Sequence, residues 1–198
     1  MDEDRLIRDE DKVDPVEIIC VVDRSGSMHS IVNDAVGGYN SFVEDQKKIP
    51  GEAYLTLAIF DDEYEIVYEC KPLLEVEEAT EQTFMPRGTT ALWDAVGMTL
   101  RSASKRIETE RVIVVIITDG GENASTEFDA EKVKSIVKDC KDSGWEFLFL
   151  GANIDAFAES SNLGLAASQT VQYAANSRGV HTAYSNISDT VGSFRNQS

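Results

Sequence analysis

The sequence is short of cysteine, of histidine and above all of positive charge. Its three cysteines, Cys20, Cys70 and Cys140, are odd in number and form no CxxC pair. That excludes a disulfide framework and a zinc knuckle as organising devices. Cys20 and Cys140 fall at apolar positions, where a buried free thiol is the ordinary state. The two histidines, His29 and His181, have no partner at zinc or triad spacing and read as surface or helix residues. Eighteen basic side chains stand against 36 acidic ones, a formal net charge of −18. A surface this negative repels phosphate backbones and anionic bilayers, so neither nucleic acid nor membrane is an expected partner. It attracts cations and basic partners, and the same acidic excess serves solubility. The longest strongly apolar run, Val112 to Ile117, is far too short to span a bilayer. The opening MDEDRLIRDEDKVD has no apolar stretch of the secretory kind. A cytosolic location is therefore expected, and the glycosylation-like triplets at Asn123 and Asn186 then carry no meaning. No GxGxxG, Walker loop or GxSxG elbow occurs.

What is present is an alternation of strand-like and helix-like segments. A chain of 198 residues with 42% apolar side chains suits one domain with a real core. Residues 1–14 are charged and aperiodic and read as a tail ending at Pro15, with one domain over 15–198. Residues 16–22 are short, apolar and rich in Val and Ile, as a buried strand is. Met28, Ile31, Val32, Ala35, Val36, Tyr39, Phe42 and Val43 recur at helical spacing, which predicts a helix over 28–48 closed by Pro50-Gly51. Strands follow at 53–60 and 65–69. The gap between them is too short for a crossover, so they form an antiparallel hairpin. After a loop over 71–88, a second helix opening with Gly88-Thr89-Thr90 carries Leu92, Ala95, Val96, Leu100, Ala103 and Ile107. The unbroken RVIVVIIT of 111–118 predicts a central strand covered on both faces. A helix with Val133, Ile136, Val137 and Cys140, a strand at 146–150, a short helix near 155–160, a weak strand near 170–173 and a final helix with Val180, Ala183, Tyr184, Ile187, Val191 and Phe194 complete the pattern. This is an α/β fold with a mostly parallel sheet, whose ligands bind beyond the carboxyl ends of the strands.

Those strand ends carry oxygen. Asp23-Arg-Ser-Gly-Ser27 follows the first strand, Asp119-Gly-Gly follows the strongest one, and Thr89-Thr90 opens the second helix. Carboxylates and hydroxyls without histidine or thiolate suit a hard cation: Mg²⁺ first, with Mn²⁺ and Ca²⁺ as alternatives. Hydroxyls are weak neutral ligands, so an ion held this way keeps positive character and accepts a further carboxylate from outside. Each feature also has a plain structural explanation. Ser27 and Thr89 or Thr90 suit helix caps, and Asp119 suits a turn. Only the combination, in order and at the right element ends, points to a metal.

DRSGSM, PRGTTALWDA and VIVVIITDGGENAS together resemble the von Willebrand factor type A domain with its metal-ion-dependent adhesion site. The resemblance runs from about Val16 to Phe194. It implies a Rossmann-like three-layer sandwich with a six-stranded sheet of order 3-2-1-4-5-6 and strand 3 antiparallel. It implies a metal held by Asp23, Ser25, Ser27, Thr90 and Asp119, with the serines and threonine in direct contact and the aspartates often acting through water. Thr89 is the neighbour that stands closest to replacing Thr90. The chain looks most like the short, stand-alone intracellular members found in microbes.

The function expected is a metal-dependent protein-binding module whose open metal position takes a partner's acidic side chain, with no catalysis. Two alternatives stand beside it. One is a Mg²⁺-dependent phosphoryl-transfer enzyme, although such sites usually place a second Asp where this chain has Ser25. The other is an assembly protein whose metal merely stabilises it. The acidic stretch Asp61, Asp62, Glu63, Glu65 and Glu69 reads as a solvated edge hairpin. Glu122 and Asn123 read as loop polarity or as a border to the metal, and Trp93 as core packing.

Overall fold

A computed structural model describes residues 14–108 and 110–197. The expected charged tail, apart from Asp14, lies outside the described residues. Six strands form one sheet in the order β3-β2-β1-β4-β5-β6. They are β1 (Val16–Asp23), β2 (Ala53–Phe60), β3 (Tyr64–Pro72), β4 (Arg111–Thr118), β5 (Glu146–Ala152) and β6 (Thr170–Tyr173). β1 pairs in parallel with β2 and β4, β4 with β5, and β5 with β6, while β2 and β3 run antiparallel. The expected architecture, strand order and hairpin are all present.

The helices are α1 (Val32–Lys47), α2 (Leu92–Arg106), α3 (Ala130–Asp142), α4 (Ala156–Asn162) and α5 (Ser177–Arg195). Alternation along the strands divides the core into two layers. Ile18, Cys20, Val22, Ile113, Val115 and Ile117 face α1 and α5, while Ile19, Val21, Val112, Val114 and Ile116 face α2 and α3. Because β1 and β4 are covered on both sides, their sequences are apolar without alternation. Each such side chain contributes roughly 1.5–3 kcal/mol on burial. One charge breaks the pattern. Glu17, fully buried on β1, accepts two hydrogen bonds from Arg106 at 2.7 Å each and one from Thr56 at 2.6 Å. Without them a buried carboxylate would be strongly destabilising.

Three boundaries differ from the sequence reading. The first helix starts at Val32 and not at Met28, because Gly26–Ser30 forms a tighter 3₁₀ turn, with Met28 N bonded to Ser25 O and Ile31 N to Met28 O. α2 starts at Leu92, so Gly88-Thr89-Thr90 lies on the loop before it. β3 runs on to Pro72 across register shifts opposite Leu57. Cys70-Lys71-Pro72 reads as loop in the sequence, yet an edge strand tolerates a proline whose missing N–H would face outward.

α1 and α5 approach closely at Gly38. A Cβ there would lie 2.3 Å from Cδ2 of Tyr184. Gly38→Ala therefore overpacks this contact, and the expected loss is about 1–3 kcal/mol. Thermal unfolding of the variant checks it; an unchanged Tm would show that the two helices separate freely.

Candidate metal centre

The sheet reverses its order between β1 and β4, the place where α/β folds leave a crevice. The register pairs Val22 with Ile117, so the two strands end together and deliver Asp23 and Asp119 side by side. Asp23 is fully buried and Asp119 nearly so. Asp23 Oδ1 accepts the Ser25 N–H at 2.6 Å, and its Oδ2 accepts the Thr118 hydroxyl at 2.5 Å. Ser25 Oγ lies 3.0 Å from Ser27 Oγ, and Ser27 Oγ donates to Asp119 Oδ1. Gly120 sits against the hydroxyls. A Cβ on it would come within 2.8 Å of Thr90 Oγ1, 3.5 Å of Ser27 Oγ and 3.6 Å of Ser25 Oγ. The five residues singled out in the sequence thus converge. Thr90, not Thr89, turns inward: Thr90 is buried, whereas Thr89 is exposed with its N–H on Asp62.

The structural explanations of these hydroxyls fail one by one. Ser25 stands at the N-cap of the 3₁₀ turn without a side-chain cap bond, and α1 is capped by no side chain from Ile31. α2 has Ala91 at its N-cap, again without a side-chain bond. Its free N–H groups are served from the loop after β4: Trp93 N by Glu122 at 2.9 Å and Asp94 N by Ser125 Oγ at 3.0 Å. Asp94 returns the service, its carboxylate accepting from the backbone N–H groups of Thr126, Glu127 and Phe128 at 2.7–3.0 Å. Asn123 completes the seam by accepting Thr90 N at 2.9 Å through Oδ1 and donating its own N–H to Thr90 O at 3.0 Å. With capping done by others, the Ser and Thr hydroxyls remain available to an ion.

Electrostatics point the same way. Burial pushes the Asp23 carboxyl up to about 6, against hydrogen bonds from Thr118 and Ser25 that lower it, and the neighbouring Asp119 pushes it further up. Burial likewise raises Asp119. Asp119 Oδ2 is buried with no hydrogen-bond partner. An orphaned buried carboxylate oxygen is costly, and a divalent cation among oxygen donors relieves it. The donor set therefore fits a hard cation.

Sequence reasoning missed part of this neighbourhood. Thr118 reads as the last strand residue, but its hydroxyl holds Asp23. Asn123 reads as loop polarity or as a border to the metal; its role in fixing Thr90 is visible only in the structure. Asp61 reads as part of a solvated hairpin, but it is fully buried. Trp93 is partly buried against the core cluster around α2, as expected, and both histidines are exposed.

This is an α/β domain with an all-oxygen cluster of carboxylates and hydroxyls at its topological switch point. The family model of the von Willebrand factor type A domain matches residues 17–186, and the chain belongs to that family. No curated protein sequence matches it significantly. Among solved structures it is similar to the von Willebrand domain of the type V pili tip protein Mfa5 from Porphyromonas gingivalis (TM-score 0.70, 13% identity, 93% of this chain and 97% of that one). It is also similar to the pilus adhesin SpaC from Lactobacillus rhamnosus GG (TM-score 0.73, 15% identity, 91% of this chain, 30% of that one). A third likeness is to proximal thread matrix protein 1 from the mussel byssus, with a zinc-occupied MIDAS motif (TM-score 0.65, 14% identity, 90% of this chain, 46% of that one). At these identities the likeness is one of fold, and the chain spans less than half of the latter two proteins.

A raised carboxyl pKa in the folded state means that the metal-free fold binds more protons than the unfolded chain. Its stability then falls as pH rises from the usual carboxylate range through about 6, the Asp23 value. A metal ion needs the deprotonated form and reverses that loss. The expected result is a Mg²⁺-induced rise in Tm that is larger at about pH 7.5 than at about pH 5. Calorimetry with Mg²⁺ or chelator at both pH values checks it, and an equal rise at both would count against metal binding through Asp23.

Proposed function

We propose that this chain is a divalent-metal-dependent protein-binding module. Ser25, Ser27 and Thr90 hold the ion directly, while Asp23 and Asp119 balance and orient it. The observation that carries this reading is the gathering of three hydroxyls, none engaged in capping, around Gly120 beside Asp119, whose second carboxylate oxygen is buried without a partner. Mg²⁺ is the first choice on ligand hardness, with Mn²⁺ and Ca²⁺ as alternatives. The mussel neighbour's zinc-occupied motif adds zinc to the metals worth testing.

Neutral hydroxyls leave the ion short of negative charge, so its open position takes a carboxylate from a protein partner. Ser27 is exposed while Ser25 and Thr90 are buried, so the ion's accessible side faces solvent past Ser27. A non-catalytic role is supported by the site's own chemistry. Phosphoryl-transfer enzymes place an acid–base carboxylate two residues after the first aspartate, and here that residue is Ser25, bound to Ser27. We place the protein in the cytosol, among the short intracellular members of the family. Its three free thiols, two of them buried, suit a reducing compartment.

Affinity purification with Mg²⁺ should recover a partner that is lost with chelator and lost again with Asp23→Ala. Retention of the same partner at full strength by a folded Asp23→Ala variant would refute the module. Mg²⁺-dependent phosphatase turnover abolished by Asp23→Asn would establish the enzyme instead.

A further inference from the structure

Metal sites built on hydroxyls depend on placement more than on charge, because each neutral ligand contributes little and only well-held ligands act together. The ligands here come from three loops, and two of these meet on one buried side chain. Asp61, fully buried at the end of β2, accepts Arg24 Nε at 3.0 Å and Arg87 Nε at 2.7 Å on the same oxygen, Oδ2. Arg24 is the residue between Asp23 and Ser25. Arg87 stands three residues before Thr90. Asp61 Oδ1 accepts the Glu63 N–H at 2.6 Å, which fixes the carboxylate's orientation.

The backbone repeats the connection. Arg24 N bonds to Phe60 O at 2.7 Å, Arg87 N to Arg24 O at 2.9 Å, Gly26 N to Gly88 O at 3.3 Å and Ala91 N to Asp61 O at 2.8 Å. Gly88 has φ +64, and a Cβ on it would lie 1.7 Å from Asp62 Oδ1, so the threonine loop packs against the β2–β3 turn at a position that glycine alone fits. The DxSxS turn and the Thr90 loop are thus stitched along their length, and Asp61 is the buried carboxylate on which the buried Arg24 and the half-exposed Arg87 meet. Arg24 has a second acceptor in Glu65 at 3.0 Å. The Arg87 side chain, half exposed, reaches Asp61 and Glu63.

We propose that Asp61 is the positioning residue of the metal centre, a buried acceptor shared by two arginines that locks the serine turn and the threonine loop in ligand register. It touches neither the ion nor a partner; it acts through Arg24 and Arg87. The proposal rests on the metal reading above. Asp61→Asn keeps the shape and one oxygen but removes the charge that both arginines share. Arg87→Gln releases the threonine loop alone and leaves the buried Arg24 pair intact.

The test is Mn²⁺ affinity, read by electron paramagnetic resonance, beside Tm in chelator. Gly38→Ala serves as a control destabilised far from the site. Asp61→Asn is expected to weaken Mn²⁺ binding about tenfold or more, the scale at which losing a group that orients a metal ligand is felt in other metal sites. Arg87→Gln should weaken it in the same direction, and Arg87→Lys should recover part of the loss. Gly38→Ala should bind as the wild type does despite its lower Tm. Wild-type affinity in folded Asp61→Asn or Arg87→Gln would overturn the proposal. So would an affinity loss in Gly38→Ala matching theirs, since general destabilisation would then explain all of them. If Asp61→Asn does not fold in chelator, Arg87→Gln alone decides between these outcomes. A wild type that binds no Mn²⁺ would overturn the metal reading itself, and this proposal with it.

Discussion

Two carboxylates side by side in a buried crevice are the constraint on which the rest of this structure depends. β1 and β4 end in register, so Asp23 and Asp119 are delivered together whether or not their charges agree. Burial and mutual repulsion both disfavour their ionised forms. Hydrogen bonds from Thr118, Ser25 and Ser27 offset part of that cost, and one oxygen of Asp119 remains without a partner. The protein keeps a local deficit of positive charge at the mouth of its sheet, and the surrounding loops are built to hold that deficit in shape.

Apart from the 3₁₀ turn Gly26–Ser30, those loops carry no regular structure at the site, so side chains and backbone hydrogen bonds do the work of secondary structure. On one side, Glu122, Asn123 and Ser125 cap α2 and hold Thr90, while Asp94 answers from α2 to the loop after β4. On the other side, Asp61 gathers Arg24 and Arg87. Thr90 is held from both directions. A binding site of weak neutral ligands gains most from such preorganisation, because little of the ion's binding energy is then spent on ordering the loops.

Much of this was legible in the sequence. Continuous apolar runs at β1 and β4 marked the central strands, the short gap after β2 marked the hairpin, and Asp23, Ser25, Ser27, Thr90 and Asp119 stood at element ends. The supporting residues were harder to read, for physical reasons. Thr118 and Asn123 act through hydrogen bonds to partners 95 and 33 residues away, and such pairings leave no local periodicity. Asp61 sits in a run of exposed acids, and nothing in its neighbours shows that this one alone turns inward. The apolar pattern places the start of the first helix four residues early, because Met28 and Ile31 fit a helical stripe equally well as a 3₁₀ turn.

The sequence by itself determined the alternation of strands and helices, the two-sided burial of the central strands and the chemistry of the candidate ligands, since periodicity and residue type are local properties. Only the tertiary structure decided that Thr90 and not Thr89 faces the site. It alone relieved the serines and threonine of capping duty, and it alone turned one carboxylate of an acidic hairpin into the buried tie between two loops. Each of these depends on which distant groups meet in space, and hydrogen bonds are assigned by that meeting.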